Sequence, residues 1–259
     1  MRRPALLLVL LLVTILAARE YGGESAPIAI SQDASLADAP RRTARRTPSA
    51  PATDVVAAGA VDARPADDIA TGAAIRDRIR QGEQGTYISE ILLARDSALA
   101  RWPDRRDQPL RVWVADGSLV ADWDESFPQR VRDAFTSWES VGIPVRFTFV
   151  VDSADADIHV TWVDHFDTPI SGKTLWSRDR RWWIVGGNIS LALHHNGGEA
   201  LDASSVYAIA LHEVGHLLGL DHTVDTANIM TPKVRVRELS DADRATLRLL
   251  YSLPAGSVR

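Results

Sequence analysis

Residues 212–222 read His-Glu-Val-Gly-His-Leu-Leu-Gly-Leu-Asp-His, and this run constrains the chain more tightly than any other feature in it. Two histidines four positions apart lie one helical turn apart on the same face. His212 and His216 can therefore aim both imidazoles at one point. Gly219 lets the chain leave the helix sharply, because glycine has no Cβ penalty at positive φ. The turn it makes can swing His222 back toward that point. Three neutral imidazoles suit a zinc ion and leave its fourth position open, the ligand count of a catalytic site and not of a closed structural one. Glu213, next to the first histidine, can hold a water there and act as its base.

A bare His-Glu-x-x-His match can be accidental. The longer register, with the glycine, the third histidine and a later methionine, is far more specific. It resembles the motif of the metzincin zinc endopeptidases and, in detail, their matrixin branch, the matrix metalloproteinase type. Downstream, Asn228-Ile229-Met230-Thr231-Pro232 is similar to that family's Met-turn. The resemblance implies that Met230 lies beneath the three imidazoles as an apolar floor. Pro232 stands where some metzincin branches carry a metal-reaching tyrosine, which favours the matrixin branch. Leu239 to Asp243, leading into Leu247, Leu250 and Tyr251, resembles the last helix of matrixins. Ser240 followed by Asp243 has the form of a helix N-terminal capping box, with Asp in place of the usual Glu.

The resemblance implies an α+β fold of the zincin type: a twisted mixed sheet, an active-site helix, a Met-turn and a C-terminal helix. It implies that His212, His216 and His222 hold one Zn²⁺, that Glu213 is the catalytic base, and that Gly219, Met230 and Pro232 support them. The implied activity is hydrolysis of internal peptide bonds. A protein or peptide substrate would lie extended along an edge strand near Leu175 to Val185, with Pro232 to Glu238 walling the pocket beside the metal. Asp221 is expected to pack or hydrogen-bond beneath the site without being a ligand. The alternative is a zinc-binding, non-catalytic adhesion or interaction module, which would keep the histidines but has no need of Glu213.

Animal matrixins also carry a structural zinc and calcium sites. His165-Phe166-Asp167 has the form that begins such a zinc site, but the later histidines of that pattern are misplaced, and His194-His195 come late. A polar strand end near the cleft accounts for that pair, and one zinc is expected. Ca²⁺ has no supporting loop pattern among Asp152, Asp155, Asp157 and Asp164.

The rest of the chain is read from composition and periodicity. Arg2 and Arg3 precede an apolar run from Ala5 to Ala18, so residues 1–18 read as a signal peptide or an uncleaved signal anchor. An exported protein follows: secreted, periplasmic or tethered to the membrane. Residues 19–71 are rich in Ala, Pro, Arg, Asp and Ser and read as a disordered tether. Residues 72–106 look helical, broken at Gly82 and Gly85, and read as a pro-segment or N-terminal extension. With no cysteine, no thiolate can hold the chain latent, and no disulfide or thiolate zinc ligand can form. A net charge of −5 gives no footprint for nucleic acid, and a monomer is expected.

Residues 107–259 form the catalytic domain. Strands are expected at 110–115, 145–150, 157–163, 182–185 and 189–193. Helices are expected from Phe127 to Trp138 and across His212, the latter capped by Asp202 or Ser204.

Overall fold

The computed structural model describes the backbone of residues 28–29 and 66–257 and the side chains of residues 72–256. The leader at 1–18 and most of the tether at 19–71 lie outside the described residues. Strand β1 (Ile28–Ala29) pairs antiparallel with β8 (Lys233–Val234), just beyond the Met-turn. Helix α1 (Ala66–Gly82) starts before residue 72, so the expected boundary between tether and helical segment falls inside a helix. After the turn at Gly85, where φ is +74°, comes α2 (Ile88–Ala94), and then β2 (Ala98–Leu99). Among the described residues no helix is long and apolar enough to cross a membrane.

The centre of the molecule is a five-stranded sheet. It is built from β3 (Arg105–Val114), β4 (Val145–Phe149), β5 (Ile158–Val163), β6 (Gly172–Arg178) and β7 (Ile184–Ala192), in the order β4-β3-β5-β7-β6. Its first four strands are parallel and β6 runs antiparallel on the outside. β5 buries Ile158, Val160 and Trp162 in strict alternation, the period-two pattern of a strand with one covered face.

That cover is two helices, α3 (Phe127–Glu139) and α4 (Ala203–Leu217). α3 buries Phe127, Val131, Ala134, Phe135 and Trp138, one stripe at helical spacing, and Phe135 packs edge-on against Phe147 of β4. α4 is buried on every side from Ala208 to Leu217, as a helix must be when it lies between a sheet and other helices. The Trp138 indole of α3 donates to Leu211 O of α4 at 2.7 Å. A final helix, α5 (Asp241–Ser252), ends the domain, and β9 (Gly256–Ser257) pairs back onto β2.

Two strand expectations need correction. Trp182 belongs to the β6–β7 turn, with φ +68° outside strand conformation, and Trp183 makes an isolated bridge to Arg101 in place of a strand of its own. The pieces expected at 182–185 and 189–193 form one strand, β7, and the edge strand expected near Leu175 to Val185 is β6, which starts and ends earlier. On this side of the sheet the edge is Gly172–Arg178, because β7 lies inside between β5 and β6; β4 forms the opposite edge.

Residues 72–106 share the core of the domain that follows. Ile79, Tyr87, Ile88, Ile91, Leu99 and Trp102 are all buried. The expected domain start at 107 falls inside β3.

Candidate metal centre

α4 begins where Asp202 accepts a hydrogen bond from Ser205 N–H at 2.7 Å, so Asp202 is the cap. Its last two turns carry His212, Glu213 and His216, all buried. Gly219 then adopts φ +100°, and an added Cβ would lie 2.1 Å from Ala100 O. Both the backbone conformation and the space demand glycine there. The chain reverses and delivers His222.

The three Nε2 atoms converge, at 2.9 Å between His212 and His216 and 3.2 Å from each of these to His222. His212 Nδ1 lies 2.8 Å from Ile229 O, and His216 Nδ1 lies 3.1 Å from Leu220 O. Those carbonyls can only accept, so Nδ1 carries the proton in both rings and each Nε2 presents a lone pair. Lone pairs facing one another gain nothing by themselves; they need a cation. Nitrogens 2.0–2.1 Å from a tetrahedral zinc would stand about 3.3 Å apart, close to the spacing found. Burial, and then the neighbouring imidazoles, hold His212 and His216 well below their usual pKa. Burial lowers His222 as well. All three rings are thus neutral, as metal ligands must be. Among the described residues this is the one group of three or more His, Asp or Glu whose ligand atoms lie within 4.8 Å of one another.

Met230 is fully buried against α4: a Cβ at Gly215, between the two helical histidines, would meet its Sδ at 2.3 Å. Ile229 is pinned on both sides, its carbonyl on His212 and its N–H donating to Asp243 Oδ2 at 2.9 Å. Asp243 closes the capping box with Ser240 that starts α5, and its Oδ1 accepts from the Tyr87 hydroxyl at 2.9 Å. Pro232 is half-buried at the end of the same turn.

Glu213 has two unlike oxygens. Oε2 accepts from the Thr174 hydroxyl of β6 at 2.6 Å, while Oε1 is buried with no hydrogen-bond partner. Burial pushes the carboxyl up to about 8, against the pull of the Thr174 hydrogen bond. A Cβ at Gly172 would lie 2.4 Å from Oε1, so glycine keeps that oxygen clear. Thr174 and Gly172 were not singled out from the sequence; no motif marks them, and only the strand pairing brings them here.

The other histidines lie elsewhere. His194 places Nε2 2.9 Å from Asp122 Oδ2 and Nδ1 2.9 Å from Asp164 Oδ1, while His165 Nδ1 meets Asp164 Oδ2 at 2.6 Å. His195 Nδ1 is 3.3 Å from Ser171 Oγ. Asp157 pairs with Arg111. Asp221 accepts from Arg95 and from its neighbour's backbone N–H. A cavity of about 450 Å³, lined by Ala227 and residues 235–240, follows the Met-turn; its lining includes none of the three imidazoles.

A helix bearing two convergent histidines, a glycine turn to a third, and a methionine packed under that helix, all beside a mixed sheet with an antiparallel outer strand, define the α+β metzincin class. Within that class, the family model described as matrixin, of the M10 peptidases, matches residues 121–252, just over half of the chain, and the chain belongs to that family. It is 25% identical over 150 residues to metalloendoproteinase 1 of Glycine max, an alignment covering 50% of this chain and 47% of the plant protein. It is 29% identical over 133 residues to neutrophil collagenase of Homo sapiens, covering 49% and 26%. It is 30% identical over 134 residues to karilysin of Tannerella forsythia, covering 48% and 28%. The chain thus spans less than half the length of these relatives.

Proposed function

We propose that the protein is a zinc-dependent endopeptidase. The observation that carries this reading is the convergence of three neutral imidazoles on one point through Nε2, two of them held with Nδ1 protonated, one residue away from a carboxyl group with a free, buried oxygen. A zinc ion held by His212, His216 and His222 would supply Lewis acidity to the scissile carbonyl and acidity to a bound water. Glu213 Oε1 takes a proton from the attacking water and returns it to the leaving amine. Thr174 holds the other carboxylate oxygen still through both transfers. The substrate lies extended along the outer strand β6, adding main-chain hydrogen bonds as a further strand. A non-catalytic zinc module is disfavoured because it has no use for a desolvated carboxylate with one oxygen left unpaired. Export, as secreted, periplasmic or membrane-tethered protein, is part of this reading and rests on residues 1–18.

The test separates metal from chemistry. The purified chain should contain close to one zinc, and chelation should abolish proteolysis of a protein substrate. Glu213→Ala should retain zinc while losing at least ~10²-fold in turnover, the low end for a general base. His222→Ala should lose the metal itself. A Glu213→Ala protein that cuts at the wild-type rate would sink the mechanism.

A further inference from the structure

The last carbonyls of a helix have no partners within it and must find donors elsewhere. At the end of α4 the backbone N–H groups of Leu218, Leu220 and Gly219 satisfy Val214, Gly215 and His216, and side chains take over from Leu217 onward. Trp102 Nε1 donates to Leu217 O at 2.9 Å and the Tyr251 hydroxyl to Leu218 O at 3.1 Å. Arg95 supplies the next two: Nη1 donates to Gly219 O and Nη2 to Leu220 O, both at 2.9 Å. Its third arm, Nε, donates to Asp221 Oδ2 at 2.9 Å. One planar guanidinium thus grips three consecutive residues, the last three before His222. Arg95 lies at the end of α2, well before the stretch that matches the matrixin family.

Those three residues orient two ligands. Leu220 O, which Arg95 binds, is also the acceptor that fixes the His216 ring. Asp221 Oδ1 accepts the backbone N–H of His222 at 2.8 Å, so the carboxylate joins Arg95 to the start of the third ligand. His222 needs this more than the other two. Its Nδ1 is buried with no hydrogen-bond partner, so no contact at that nitrogen fixes the ring and its aim depends on the backbone beneath it. On the far side, Glu90 of α2 accepts from Val224 N–H at 2.9 Å and from the Thr223 hydroxyl at 3.2 Å. The Arg95 side chain is only 9% exposed and lies beneath Trp176, 5.2 Å from its ring centroid. A buried ion pair is a weak source of stability, since desolvation offsets much of its attraction. What a guanidinium does supply is a rigid planar fork, which the point charge of a lysine cannot reproduce.

We propose that Arg95 is a positioning residue for the metal centre: by holding residues 219–221 it sets His216 and His222 in register to receive the ion. This rests on the reading of the three histidines as zinc ligands. On that basis, residues 88–102 belong to the metal site's supporting shell and do not act as a detachable inhibitor.

The test uses the full chain and reads zinc affinity by competition with a chromophoric chelator. The visible spectrum of the cobalt(II)-loaded protein and the Tm of the metal-free form are measured alongside. Arg95→Leu should bind zinc 10- to 100-fold more weakly, the range for losing an outer-shell partner of a ligating histidine. Its cobalt spectrum should also shift. Arg95→Lys should recover only part of the affinity. Val131→Ala, a core change in α3, should lower the metal-free Tm yet leave zinc affinity and cobalt spectrum alone. Arg95→Leu with wild-type affinity and spectrum overturns the positioning role. Should that variant fail to fold, Arg95→Lys and Asp221→Asn carry the same comparison, and wild-type behaviour in both overturns it equally. A wild-type chain that binds no zinc overturns the metal reading as well as this one. Binding in the wild type with no loss in the Arg95 variants overturns this one alone.

Discussion

Thr174 shows how much one hydroxyl can decide. It lies 2.6 Å from Glu213 Oε2 and 3.0 Å from the carbonyl of the same residue, so it fixes both the carboxylate and the helix turn that carries it. When Glu213 is ionised, the form that acts as base, a hydrogen bond to it contributes about 1.5–3 kcal/mol. Thr174→Val keeps the volume and removes the donor, so kcat should fall by roughly tenfold or more, with KM little changed. Thr174→Ser should restore most of the loss. Steady-state kinetics on one peptide substrate checks both; equal kcat in the valine variant and the wild type would remove Thr174 from the mechanism. The ligands and the base were legible because their residue types and spacing carry the chemistry by themselves. Thr174, Gly172 and Arg95 were not, because each reaches the site through tertiary contact. Arg95 stands 121 and 127 positions away from the two histidines it serves, His216 and His222, and nothing local distinguishes it from any other arginine.

At the scale of elements, legibility followed the clarity of the apolar pattern. α3 was readable because its buried stripe is Phe, Val, Ala, Phe and Trp at helical spacing, and β5 because Ile158, Val160 and Trp162 alternate with polar neighbours. The bounds of β6 were not, because its inward positions are Gly172, Thr174 and Trp176, of which only the last looks apolar. β7 was split in two by Gly186 and Gly187, where glycine marks close approach rather than a turn. A Cβ at Gly187 would meet Leu217 of α4 at 2.4 Å. The far ends of β5 and β7 are tied to the loop before α3 by His194, which bridges Asp122 and Asp164, while His165 faces Asp164 from the other side. The hydrogen bond with Asp122, then the charge of Asp164, raise the His194 pKa above its usual value. A raised folded-state pKa adds stability that is complete below the unfolded value of about 6.5 and is lost as pH climbs through the folded value. His194→Gln should therefore cost the most stability near about pH 5.5 and progressively less toward about pH 8.5. Denaturant melts of both proteins across that range check it; a cost that grows with pH would contradict the bridge.

The whole molecule is closed by its N-terminal segment. α2 and the stretch to Trp102 fill the space between the end of α4 and helix α5. Ile88, Ile91, Leu99 and Trp102 are fully buried there, and β2 pairs with β9 at the other end of the chain. Tyr87 reaches Asp243, whose other oxygen holds Ile229 and through it His212. Burying each of four large apolar side chains contributes about 1.5–3 kcal/mol, so together they amount to roughly the whole stability of an ordinary domain. A detachable pro-segment would leave a finished core behind it, and this segment would not. A chain starting at Asp107 should accordingly fail to fold cooperatively, while one starting at Ala66, which keeps α1 and α2 intact and gives up the two-residue β1–β8 pairing, should melt close to the whole chain and retain its peptidase activity. Circular dichroism melts and turnover of a common substrate compare the two. A chain from Asp107 that is folded and more active than the one from Ala66 would make the segment an inhibitor instead. Because this chain has no cysteine that could reach the metal site, thiol reagents should leave its activity unchanged.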